Sequence, residues 1–174
     1  MKKIVSACIA ALLTATLAAA PVMAAPKPVS LGTFDDWKAF KVTDGANTYC
    51  YVLSQPKKNE PTGVRRDPIF FLITKWTGRA GGEPSYVPGY PYKEGSSVTA
   101  TIGSDKFTFF TRNEGTDGGA WIREAAEETR LVTAMRGGSS LVVTGISRRG
   151  TNTRDEYSLK GISAALDKIN EACP

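Results

Sequence analysis

Histidine is absent from all 174 residues of the sequence. That absence removes the Ser-His-Asp and Cys-His nucleophile arrangements, the usual imidazole metal ligands, and the side chain best suited to moving protons near neutral pH. Cysteine is scarce too, with three residues at Cys8, Cys50 and Cys173, which argues against a zinc site. No phosphate loop and no dinucleotide fingerprint occur; the Gly-Gly pairs at 81, 118 and 137 lack the required flanks and read as turns or a helix stop. No cofactor and no metal are therefore expected. There is no internal repeat and, beyond the first two dozen residues, no low-complexity segment.

What is present begins with the N-terminus. Lys2 and Lys3 precede an apolar run from Ile4 to Ala20, followed by small residues, which is the layout of a secretory signal. Val22 and Ala24 occupy the small-residue positions before a cut, so cleavage is expected after Ala24. Retention as an anchor is the alternative, but the run falls short of the roughly 20 apolar residues a spanning helix needs. Val5-Ser6-Ala7-Cys8 looks like a lipid-attachment box. It lies ahead of the apolar region, and lipidation there would leave the signal nothing hydrophobic to be recognised.

Residues 1–24 are thus expected to be a cleaved leader and 25–174 a single domain, with no membrane span after processing. The mature chain would have 150 residues, enough for one ordinary core. Of 22 basic residues it loses Lys2 and Lys3, leaving 20 against 17 acidic. Such a mild excess does not argue for nucleic acid. Cys8 leaves with the leader, so Cys50 and Cys173 remain in an oxidising compartment and are expected to form one disulfide.

Along the mature chain, short strands dominate. Ala25–Leu31 is a proline-rich lead-in. Trp37–Val42 alternates apolar and polar residues, Thr48–Ser54 is aromatic and β-branched, and Asp44-Gly45 between them signals a hairpin. Ile69–Trp76 is a continuous apolar run, expected as a central buried strand. In the segment from Ser96 to Thr111, Val98, Ala100 and Ile102 face one way, and Phe107 and Phe109 resume the alternation after a turn. Ala125, Leu131, Val132 and Met135 mark a helix with glutamates at its start and Arg136 at its end. Ile162, Ala165, Leu166, Ile169 and Cys173 recur at helical spacing in a last helix. The expected fold is one mainly β domain, an antiparallel sandwich or barrel-like sheet, with two short helices, the last at the C-terminus.

Several groups invite a chemical reading. The carboxylate pairs Asp35/Asp36 and Asp155/Glu156, and the pair Ser158/Lys160, are the candidates for a hydrolase. Neighbouring residues on a strand point to opposite faces, so adjacent acids do not easily serve one substrate. Lys57, Lys58, Arg65 and Arg66 form a basic loop, read either as a contact for an acidic partner or envelope surface or as a solvated connection. The tyrosines of Ser85–Tyr92 are open between stacking on a sugar or peptide and covering a sheet edge.

The order of these segments carries a resemblance. A strand with Trp37, then "CYVLSQPKK", "VPGYPYKEGSSVTATIGSDKFTFFT", Ala120-Trp121, and a final third containing "SRRGT", "DEYSLKG" and "AALDKINEAC" resembles the invasion-associated locus B family of exported bacterial proteins. The resemblance implies a small, mostly β, periplasmic or secreted protein without a known enzymatic activity, and its cysteines match positions 50 and 173. Many relatives have a further cysteine where this chain has Phe40, so a second bridge is not expected. In this reading Arg148, Arg149, Gly150, Thr151, Asp155, Tyr157 and Ser158 form a signature hairpin before the last helix. Asp155 would tie down the Arg148–Asn152 turn, Leu159 would cover the core, and Tyr157 would be a buried ring with its hydroxyl at the rim. The expected function is a non-catalytic envelope protein that binds an unidentified macromolecule or surface, with a link to host cells implied by the family. A carboxylate-dependent hydrolase and a purely structural periplasmic protein are the alternatives.

Overall fold

The computed structural model describes residues 26–174. The expected leader, 1–24, lies outside them. In chain order the elements are β1 (Val29–Phe34), β2 (Trp37–Asp44), β3 (Asn47–Ser54), β4 (Lys58–Glu60), β5 (Phe70–Trp76), β6 (Glu83–Val87) and β7 (Ser97–Ile102). They continue with β8 (Asp105–Glu114), β9 (Asp117–Trp121), α1 (Ala125–Gly137), β10 (Ser140–Ile146), β11 (Asn152–Ser158) and α2 (Ile162–Ala172). No helix among the described residues is long and apolar enough to cross a membrane.

All strands join one antiparallel 11-stranded sheet in the order β1-β2-β3-β5-β6-β9-β8-β7-β10-β11-β4. This is the expected mainly β domain with its last helix at the C-terminus, in the barrel-like layout left open between the edge strands β1 and β4. The sheet curls strongly. Six places separate β5 from β11, about 29 Å in a flat sheet, yet the Phe71 and Tyr157 rings meet edge to face with centroids 5.8 Å apart. Phe71 also meets Phe109 of β8 at 6.1 Å.

Strand alternation decides what fills the concave side. Trp37, Ala39, Cys50, Val52, Phe71, Ile73, Tyr86, Val98, Ala100, Phe107, Phe109, Leu141, Val143 and Tyr157 point inward and are buried. The helices close the remaining opening: Leu131 and Met135 come from α1, and Ile162, Ala165, Leu166 and Ile169 from α2. The disulfide joins β3 to the residue after α2, Cys50 to Cys173, with 5.9 Å between Cα atoms. Trp37 Nε1 donates to the Ser158 carbonyl at 3.0 Å, which seats the start of β2 against the end of β11.

Three local readings change. The Ile69–Trp76 run is central but buried on one face only: Phe71 and Ile73 lie in the core, while Phe70, Leu72 and Trp76 sit half-buried on the convex side. Its continuous apolarity reflects two different environments. Val29–Leu31, read as lead-in, belongs to β1, and Lys58–Glu60, read as loop, is β4. Both are edge strands with ragged burial, so neither carries an alternating pattern of its own.

Candidate functional site

The convex face of the sheet holds a groove of about 850 Å³. Its floor follows one register row across four strands: Thr99 opposite Thr144, Thr144 opposite Arg154, and Arg154 opposite Glu60. Ser97 and Asn152 border it, and Glu60, Pro61 and Thr62 form its wall. Hydroxyls both donate and accept, so the floor can satisfy polar groups of either kind. Arg154 Nη1 is 3.2 Å from Glu156 Oε2 on the same face of β11.

The wall runs on from β4, which pairs with β11, into a loop that one side chain fastens farther along. Arg66 turns inward, with only 5% of its side chain exposed, and donates to both carboxylate oxygens of the fully buried Asp155 at 2.8 and 2.7 Å. Its Nε and Nη2 also donate to the Pro88 carbonyl at 2.9 and 2.7 Å. The backbone fastens the same stretch, with Asp67 N donating to Gly89 O at 3.0 Å. Gly89 has φ +72, and any Cβ there would collide with the Asp67 carbonyl, so this approach requires glycine.

The tyrosines read as a possible ligand platform are part of this buried arrangement. The Tyr86 hydroxyl donates to Asp155, and Tyr90 bonds Thr153 Oγ1 at 2.6 Å. Tyr86 and Tyr92 are wholly buried. Burial, with the negative charge of Asp155 second, pushes the Tyr86 hydroxyl far above the usual phenol range and keeps it a proton donor. The site on the surface thus stands on a polar core built from Arg66, Asp155, Tyr86 and Pro88.

The residues singled out from sequence fare differently. Of the basic loop, Lys58 and Arg65 are exposed. Arg66 is spent inside, and Lys57 Nζ lies 2.5 Å from Asp36 Oδ1, a hydrogen bond that lowers the Asp36 pKa. Asp155 does not tie down the Arg148–Asn152 turn. That turn closes on itself, with Ser147 N donating to Thr151 O at 2.9 Å and Gly150 N to Ser147 O at 2.8 Å. Arg148, Arg149 and Gly150 are exposed at its tip, while Thr151 and Ser158 are half-buried. The Tyr157 hydroxyl is not at the rim. It is buried without a protein partner, as is that of Tyr92. Leu159 covers the core as expected.

The hydrolase candidates diverge. Asp35 and Asp36 lie in the turn between β1 and β2, not on a strand, and pair with different cations, Asp35 with Lys160 at 2.9 Å and Asp36 with Lys57. Lys160 Nζ is thereby drawn to a carboxylate, and Ser158 Oγ accepts instead from the Lys160 backbone N–H at 3.2 Å. Asp155 is inside and Glu156 outside. Among the described residues no cluster of three or more His, Cys, Asp or Glu converges as a metal site. Sequence reasoning singled out Tyr86 and Tyr90 for a surface role and missed both their buried bonds and Thr153. The alternation that put Asp155 beside Tyr157 and Leu159 on the core face did signal that a buried carboxylate needed a cation.

Comparisons with known proteins agree with this fold. No curated protein matches the sequence. Among solved structures, that of invasion associated protein B from Bartonella henselae is similar, with a TM-score of 0.58 at 15% identity, over 83% of this chain and 97% of that one. The family model for the invasion associated locus B (IalB) protein matches residues 37–170, most of the chain. The chain belongs to the invasion-associated locus B family.

Proposed function

We propose that this chain is an exported, non-catalytic protein of the bacterial envelope, resident in the periplasm or secreted, that binds a macromolecular partner or surface through the groove on its convex face. The observation that supports this reading most is the Arg66–Asp155 pair. A desolvated ion pair is a costly way to hold a surface loop, and here it fastens the stretch that follows the groove's wall, while pairing of β4 with β11 places Glu60. The disulfide between Cys50 and Cys173 fits an oxidising compartment. The family's association with invasion, and the same association in the Bartonella protein, extend the proposal to host-cell contact.

The basic loop contributes less charge to such a contact than its composition suggests, because Lys57 and Arg66 are already paired. Arg154, paired with Glu156, lines the floor of the groove, and Lys58 and Arg65 are exposed on the chain before and after its wall. Capture of envelope components by the purified, oxidised chain is expected to weaken with Lys58→Glu plus Arg65→Glu, and further with Arg154→Ala. Unchanged capture by the triple variant would remove the groove from the proposal.

A further inference from the structure

We infer that Trp121 is the stacking platform of a second binding site, for a glycan bearing carboxylates, with Arg112 and Arg123 as its anion-binding arms. Trp121 and Gly119 share the convex face of β9. A Cβ on Gly119 would clash with indole Cη2 and stand 2.9 Å from Cζ2 and Cζ3. The indole therefore lies back along its own strand, the outer edge of its six-membered ring tilted over the glycine. Trp121 remains half-buried.

Directly opposite in register is Phe110, its ring 6.0 Å from the indole at 35°, which extends the floor. The Arg123 guanidinium sits 4.4 Å from the Phe110 centroid. Arg112 lies opposite Gly119 on the same face. Both arginines are exposed, and among the described residues neither has a carboxylate within 4.0 Å. Glu127, near Arg123 in sequence, is taken by Arg130 at 2.8 Å. Glu114 and Asp117 stand two register steps beyond Arg112, at the hairpin tip.

A flat indole accepts the apolar C–H face of a pyranose, and a guanidinium receives a carboxylate through two parallel N–H bonds. Among the other convex aromatics, Tyr49 lies against Trp76, with ring centroids 4.9 Å apart at 41°. Phe40 and Tyr51 stack on each other at 5.2 Å and 22°, so each covers the other's ring face. Ser85 and Ser97 flank Trp121 and Phe110 in the row and supply hydroxyls, with Leu72 next beyond Ser85. Ser97 also lines the loop-walled groove, but the inference does not rest on that groove being occupied.

The test is titration of the oxidised full chain with tetragalacturonate and, in parallel, neutral cellotetraose, followed by calorimetry. The native chain is expected to bind the acidic oligomer in preference. Trp121→Ala and Gly119→Ala should each weaken it by at least about tenfold, and Arg112→Ala plus Arg123→Ala should bring it down to the neutral oligomer's affinity. Lys58→Glu plus Arg65→Glu should leave it unchanged, which separates this site from the groove. Absence of binding to the native chain, equal binding of the two oligomers, or native affinity in Trp121→Ala would overturn the inference. The arginines lie on the solvent face, so the double variant reports even if Gly119→Ala does not fold.

Discussion

Asp155 and Arg66, 89 residues apart, meet in the interior through two hydrogen bonds of 2.8 and 2.7 Å. The carboxylate has no exposed surface and also accepts from Tyr86. This pair joins a surface loop to the strand that leads to the last helix.

Breaking it from one side leaves an uncompensated buried charge. Asp155→Ala or Arg66→Ala is expected to cost about 3–5 kcal/mol in urea unfolding. Arg66→Met with Asp155→Leu, which removes both charges and keeps volume, should cost clearly less than the two single truncations added together. Additive losses would show that the two residues act independently.

The Cys50–Cys173 bridge closes a loop of 123 positions. The chain-entropy model assigns such a loop about 5 kcal/mol. Reduction, or Cys50→Ser with Cys173→Ser, should lower the melting temperature and expose α2 first in hydrogen exchange, since that helix ends the chain. Equal melting of oxidised and reduced protein would contradict this.

Alkaline pH should unfold the protein through its tyrosines. Burial raises the Tyr86, Tyr92 and Tyr157 hydroxyls above their ordinary value, with Asp155 the second cause at Tyr86 and Tyr157, and Tyr90 the second cause at Tyr92. In the unfolded chain they ionise near 10. Below about pH 10 their contribution is whole; above it the native state binds more protons than the unfolded state, so stability falls as pH rises. Tyrosinate absorbance for these three should therefore appear together with loss of circular dichroism. Ionisation of all tyrosines near 10 with the fold intact would refute it.

Much of the architecture was legible locally. The β2–β3 and β7–β8 hairpins follow from alternation and a turn glycine, and the two helices from 3.6-residue spacing, joined in α1 by its charged ends. The bridge followed from the two cysteines that the expected loss of the leader leaves. The candidate site was legible only in part. The loop with Lys58 and Arg65 was visible as charge, but Arg65 and Arg66 are adjacent and chemically identical, and nothing local says that one faces water while the other crosses the wall to Asp155.

The chain alone therefore determined which segments are strands and helices, which strand faces are apolar, and which sulfurs can pair, because these depend on periodicity and composition within a few residues. The tertiary structure decided how far the sheet curls, that Phe71 meets Tyr157, that Arg66 leaves the surface, and that Trp121 folds back over Gly119. Those outcomes depend on contacts between distant strands, where packing and the need to neutralise a buried carboxylate outweigh any local preference.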